Sequence, residues 1–301
     1  MAESGNFYGS LQADDLSKYS VKKTNPIAKI LIYILLAVWT LVNLFPIYWM
    51  ISFSLKEEDE VFSNKFGLPK IWDWENYRQA FKYLHLRYFL NSIIIAVVTI
   101  AITLLVAMMA TYAITRIKWR GSKLMYKFFM LGLTIPLHVA IVPLFKFMAA
   151  FKGVTGIALT NRYIALIVPY SAFALAMAIL ICVGFMDEIP HDLDESAYID
   201  GCGLWKTFFK IIIPLMKPAV ATIGIYTFIQ CWNELLYANI FNGGNETKTL
   251  PTAVYELSTG LTIEWGPYGA ALVVATLPIL IVYIFLSRRI QESFMAGAVK
   301  G

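Results

Sequence analysis

The stretch IPHDLDESAYIDGCGLWKTFFKIIIP, Ile189 to Pro214, lies between two long apolar runs and carries the pattern of two short helices joined by a turn. Pro190 suits a first helical turn, where its missing N–H costs nothing, and Asp192, Asp194 and Glu195 lie near the positive end of the helix dipole. Ile189, Leu193 and Ala197 recur every four residues and predict one apolar face. Asp200-Gly201 then offers a turn whose glycine can take a positive φ without steric cost. Trp205, Phe208, Phe209 and Ile212 follow the i, i+3, i+4, i+7 spacing of a second amphipathic helix, with Lys206 and Lys210 elsewhere on it and Pro214 at its end. A polar hairpin between membrane spans calls for a partner outside the bilayer, although periodicity alone fits a helix resting on the lipid interface equally well.

The surrounding composition is that of a membrane protein. Hydrophobic residues make up 58% of the 301 and charged ones only 15%, which excludes an ordinary soluble domain and points to an all-α, polytopic fold. A bilayer core needs about 20 apolar residues per helix. Six stretches qualify: Ile30 to Ile51, Leu90 to Ile114, Phe128 to Phe147, Ile164 to Phe185, Ala219 to Ile240 and Tyr268 to Leu286. They divide the chain into an N-terminal tail, 1–25, and a six-helix transmembrane domain, 26–301, with the hairpin in a loop at 187–218. The tail lacks the features of a cleaved signal peptide, so the first span is expected to remain as an anchor.

Orientation follows from basic residues. Arg116, Lys118, Arg120, Lys123 and Lys127 crowd the second-to-third connection, and fifteen of the 25 lysines and arginines fall on the side of the tail and the hairpin. Both termini and the hairpin are therefore predicted to be cytoplasmic.

Sites for chemistry are scarce. Cys182, Cys202 and Cys231 are too scattered for a disulfide framework, and His85, His138 and His191 form no metal spacing with them. Gly201 to Thr207 imitates a phosphate loop but lacks the glycine before Lys206 and places Trp205 where a backbone must approach phosphate. The chain is expected to bind no ATP, metal or other cofactor itself. Pro136, Pro143, Pro169 and Pro278 lie in or near spans, where freed carbonyls permit kinks. The run Trp232-Asn233-Glu234 near the outer part of the fifth span places a carboxylate either at membrane depth, where it must face a cavity or partner, or at the hydrated interface.

The hairpin resembles the cytoplasmic motif of bacterial and archaeal ABC importer permeases: E-A-A, three residues, G, nine residues, I-x-L-P. Glu195, Ala197, Gly201, Ile211 and Pro214 fall at that spacing, while Ser196 stands for the first alanine and Ile213 for the leucine. Ile189-Pro190 and Ile199-Asp200-Gly201 look like the sugar-importer branch, and the C-terminal AGAVKG is similar to the end of the smaller permease subunit of maltose-type importers. This resemblance implies a type I permease fold and no enzymatic activity of the chain's own. It further implies a second, homologous permease, two ATPase subunits that hold ATP and Mg, and an extracytoplasmic sugar-binding protein. Import of a di- or oligosaccharide across a prokaryotic cytoplasmic membrane would proceed by alternating access. Glu195, Ser196, Ala197, Asp200, Gly201, Ile211 and Pro214 would couple the chain to the ATPases, and Trp232, Asn233 and Glu234 would lie along the sugar pathway. An ion-coupled secondary transporter is the rival reading; it calls for paired repeats and several intramembrane ionisable groups, of which Glu234 is the one plausible carboxylate.

Overall fold

The computed structural model describes residues 25–260 and 262–298, with side chains as far as 285. The tail expected at 1–25 therefore lies outside the described residues except for Asn25, as does the end of AGAVKG. Among the described residues there are helices and no strand. The chain divides after Met50 into two units.

The first unit is described by most of helix α1, Pro26–Ser54, an apolar rod of 29 residues whose roughly 44 Å exceeds the hydrocarbon thickness. It extends the span expected at Ile30 to Ile51 by about one turn at either end. Pro46 lies within it.

The second unit begins with a polar segment containing α2, Glu58–Ser63, and α3, Glu75–Tyr83. Three spans or near-spans follow: α4, Leu86–Thr115; α5, Ser122–Leu131, and α6, Ile141–Thr155, which share one expected span; and α7, Ile164–Asp187. The hairpin contains α8, Asp192–Ile199, and α9, Leu204–Thr207, continued by a π turn at Phe208–Ile212 and by α10, Ile213–Leu215. Next come α11, Lys217–Asn233; α12, Leu236–Phe241; α13, Leu250–Leu257; and α14, Trp265–Ala298. Among the described residues five helices are long and apolar enough to span, and a sixth span exists if the segments at 204–215 and 217–233, bent by 73°, are taken together.

Two expected spans are corrected by backbone chemistry. The third is not one helix over Phe128 to Phe147: it breaks after Leu131 and resumes through a 3-10 turn at Leu137–Ala140. Pro136 has no N–H for the carbonyl of Gly132, so the helical ladder cannot cross this point. The fifth ends at Asn233, since Glu234 is extended (ψ 120°) and a separate short helix follows.

The core of this unit forms where α4 packs along α7 and α11, while α14 packs against α11 and α3. Ala165, Ala174, Ala176 and Ala178 are buried on α7 and let neighbouring backbones approach closely. At the hairpin end, Met108, Tyr112, Ile179, Cys182 and Met186 enclose Phe208, Ile212 and Met216. At the opposite end, Trp232, Leu250, Val254 and Ala271 form a second cluster with Ala80 and Leu84 of the polar segment.

The polar segment is stitched by a buried carboxylate. Glu60 accepts hydrogen bonds from Asn64 Nδ2 (2.8 Å) and from the Lys70 N–H (3.0 and 3.1 Å), while Lys56 Nζ donates to the Asn64 carbonyl. The Asn64 bond foremost holds the Glu60 carboxyl below its ordinary range, helped by the Lys70 N–H and the charges of Lys56 and Lys70 against the cost of desolvation. A carboxyl depressed on folding stabilises the fold above its unfolded pKa, near 4.3, and loses that contribution as pH falls through the lower folded value. Protection from hydrogen exchange in segment 56–70, taken relative to the intrinsic rate at each pH, is accordingly expected to fall below about pH 4, and Glu60→Gln should remove that acid step while lowering protection at neutral pH.

Candidate functional site

The hairpin is built from its ends inward. Helix α8 carries Asp192, Asp194 and Glu195 in its first turn. It stops in a Schellman arrangement: Gly201 takes φ +74°, its N–H donates to the Tyr198 carbonyl (3.0 Å), and the Cys202 N–H donates to the Ala197 carbonyl (2.8 Å). No atom outside its immediate neighbours lies within 4 Å of where a Gly201 Cβ would sit, so glycine is required there for its backbone freedom and not for space.

The buried face of α8 keeps Ala197 of the predicted apolar stripe but not Leu193. Leu193 is 40% exposed, while Asp194 and Ala197 point inward. The reason is Arg116, the residue just past α4. Its guanidinium donates from Nη2 to the carbonyls of Met186 (2.7 Å) and Ile189 (2.5 Å), and its Nη1 lies 3.0 Å from Asp194 Oδ2. The two side chains are 4% and 10% exposed, and the Nη1 contact is an ion pair outside hydrogen-bond geometry. An arginine in this position satisfies carbonyls at the end of α7, where the helix dipole favours a cation. In the sequence Arg116 marks topology and Asp194 favours a helix start; a basic residue closing one span and an acid opening the hairpin are the only local signs of their pairing.

The second arm splits its four aromatic and aliphatic positions. Phe208 and Ile212 are fully buried, whereas Trp205 and Phe209 remain 59% and 49% exposed and stack on each other with centroids 6.1 Å apart. The π turn at Phe208–Ile212 shifts the phase of the helix, and its cause is local: Pro214 cannot donate to Lys210, nor Pro218 to Pro214. Phe208 packs on Tyr112 at 5.2 Å between centroids.

Each expected coupling residue now has a place. Glu195, Ser196, Asp200, Gly201 and Pro214 are exposed, Ile211 is half-buried, and Ala197 is buried against the bundle. Lys206 and Lys210 are exposed as well. The hairpin thus presents an acidic turn, a glycine cap, two lysines and an unpaired aromatic stack to whatever lies beyond it.

The run at the far end of α11 behaves differently. Trp232 is buried, stacks on Phe228 and donates from Nε1 to the Ala275 carbonyl (3.0 Å); Asn233 is exposed. Glu234 is 8% exposed, accepting the Tyr170 hydroxyl (2.5 Å) and the N–H groups of Tyr237 (2.9 Å) and Ala238 (3.2 Å). Of the two settings open in sequence, the buried one holds. A cavity of about 230 Å³ lies beside it, lined by Tyr170, Phe173, Tyr226, Gln230, Glu234 and the break at Gly132 to Leu137. Trp232 and Asn233 do not line it; Gln230 and Tyr226, one and two turns earlier on α11, do.

Long apolar helices, an exposed capped hairpin between two of them and a half-polar cavity define a membrane transport subunit. Residues 103–295 match the family described as "Binding-protein-dependent transport system inner membrane component", and the chain belongs to that family, the membrane subunit of ABC importers. It is 34% identical over 269 residues to the diacetylchitobiose uptake system permease protein NgcG of Streptomyces coelicolor, covering 88% of this chain and 87% of that one. It is 33% identical to the trehalose/maltose transport system permease protein MalG of Thermococcus litoralis, covering 91% and 97%. Its fold matches a chain of a bacterial ABC transporter involved in the import of the acidic polysaccharide alginate, with a TM-score of 0.76 at 22% identity over 88% of this chain and 97% of that one. The resemblance to carbohydrate-importer permeases is borne out, and membership of this family sets aside the ion-coupled alternative.

Proposed function

We propose that this chain is one of two membrane-spanning subunits of an ATP-driven carbohydrate importer, and that the Glu195–Gly201 turn is its contact with a cytoplasmic ATPase. The reading rests on one observation above all: a glycine-capped turn with Glu195, Ser196 and Asp200 exposed, held between two spans of a chain without a phosphate loop. ATP and Mg would be held by two partner subunits, and an extracytoplasmic binding protein would deliver a di- or oligosaccharide. Both termini and the hairpin face the cytoplasm in this reading. The relatives named for diacetylchitobiose and for trehalose/maltose support the substrate class.

Nucleotide-driven closure of the ATPases would displace the hairpin and alternate access to a cavity shared with the second permease. The notch at Tyr226, Gln230 and Glu234 suits hydroxyl-rich ligands, offering an amide, phenols and aromatic faces. Glu234 serves it through the wall it holds, and Gln230 is the exposed amide of the notch.

The test is reconstitution of the complex in proteoliposomes with its binding protein and labelled trehalose, maltose or diacetylchitobiose. ATP-dependent accumulation of one of them is expected; full transport by this chain alone, or transport driven by an ion gradient without ATP, would rule the reading out. The exposed stack gives a sharper prediction. Burying an aromatic side chain contributes about 1.5–3 kcal/mol, so W205A/F209A should reduce ATPase copurification by about tenfold or more without lowering the chain's abundance in membranes.

A further inference from the structure

We propose that the last turn of α4 is the point where hairpin motion enters the bundle, with Arg116 as the positioning residue that fixes it there. This rests on the reading of the hairpin as the ATPase contact and goes beyond it, because it names which span receives the force. Tyr112 and Arg116 stand four residues apart and so share one face of α4. Tyr112 holds the second arm through Phe208, and Arg116 holds the first arm through Asp194. Both arms of the hairpin are therefore fastened to a single helical turn.

The same guanidinium also grips the Met186 and Ile189 carbonyls, which belong to the end of α7 and the link into α8. Three helix ends converge on it: the C-terminal ends of α4 and α7, where a cation is favoured, and the first turn of α8, where an acid is favoured. The link from Glu188 to His191 is thereby clamped at both sides and cannot absorb a displacement of α8 by bending. Downstream of the hairpin the opposite holds. The π turn, Pro214, Pro218 and the 73° bend leave a joint before α11. Displacement of α8 thus moves α4 and α7 together, and the joint is where α11, which packs along α4, can change its angle to them. The cavity at Tyr170, Tyr226 and Gln230 lies between α7 and α11, so such a change alters its width.

The burial of the pair makes single removal ambiguous, since an unpaired buried charge destabilises by itself. The informative variants are R116Q/D194N, which removes both charges while keeping polar groups of similar size, and R116K, which keeps the charge but not the planar fork. Access is read in the reconstituted complex, with Cys182, Cys202 and Cys231 replaced by alanine, as the rate at which a hydrophilic thiol reagent labels Gln230→Cys with and without ATP. ATP hydrolysis is measured in parallel.

In the parent complex ATP should change the labelling rate. In R116Q/D194N hydrolysis should continue while that rate ratio falls about tenfold toward one, and R116K should lie between. An ATP-dependent parent whose ratio persists in both variants overturns the proposal and leaves the hairpin reading intact. A parent that hydrolyses ATP without any change at position 230 overturns the hairpin reading and the proposal with it. Failure of both variants to assemble would assign the pair to folding alone and would equally overturn the proposal.

Discussion

Gly201→Val is expected to reach the membrane at the parent level and to lose most ATP-driven uptake. The Schellman cap needs φ +74° at this residue, and a left-handed backbone costs an L-residue about 1–2 kcal/mol, more for a β-branched one. Because no outside atom lies within 4 Å of the site of a new Cβ, the strain has no steric component from the bundle. It falls on the direction in which the chain leaves α8, and so on the relation between Glu195 and the Trp205–Phe209 stack. A cost of that size corresponds to about a tenfold loss of the competent geometry. Gly201→Asn is the control, since asparagine visits the left-handed region more readily; it should retain most uptake. Equal uptake by the parent and the valine variant would remove the turn from the coupling mechanism.

How much of this was legible in the sequence depended on whether the deciding interaction was local. The turn at Asp200-Gly201 was readable because a glycine after a helical pattern acts on its own backbone. The spans were readable because length and apolarity are local sums, and the two that failed did so at residues that interrupt a ladder: Pro136 in the third span and the extended Glu234 in the fifth. The buried face of α8 was readable at Ala197 and not at its neighbours. Periodicity favoured Leu193, yet the inward residue is Asp194, because its partner Arg116 comes from a helix end 78 positions earlier in the chain. Likewise, the i, i+3, i+4, i+7 pattern of the second arm assumed 3.6 residues per turn throughout, whereas a π turn occupies Phe208–Ile212 and Trp205 and Phe209 lie outside the core. The pathway run placed Glu234 at the cavity but missed Gln230 and Tyr226, which only the helix phase of α11 brings there.

Glu234→Ala is expected to have the largest effect on stability. The side chain receives the Tyr170 hydroxyl and two backbone N–H groups at the start of α12, and it is itself buried. Hydrogen bonds to a carboxylate contribute about 1.5–3 kcal/mol each, and truncation leaves three donors without their acceptor. A loss of roughly 3 kcal/mol or more follows, visible as a lower melting temperature of the detergent-extracted protein and reduced abundance in membranes. Glu234→Gln keeps one carbonyl acceptor and should fall between. The consequence extends to the cavity because Tyr237, whose N–H Glu234 fixes, donates from its hydroxyl to the Leu137 carbonyl (2.8 Å) just past the break in the third span. Losing the carboxylate therefore loosens α7, α12 and the broken span together, and Gln230→Ala, which touches none of these bonds, should leave melting unchanged. An alanine variant at 234 with parental melting and abundance would mean that the wall of the cavity is held by its apolar packing alone.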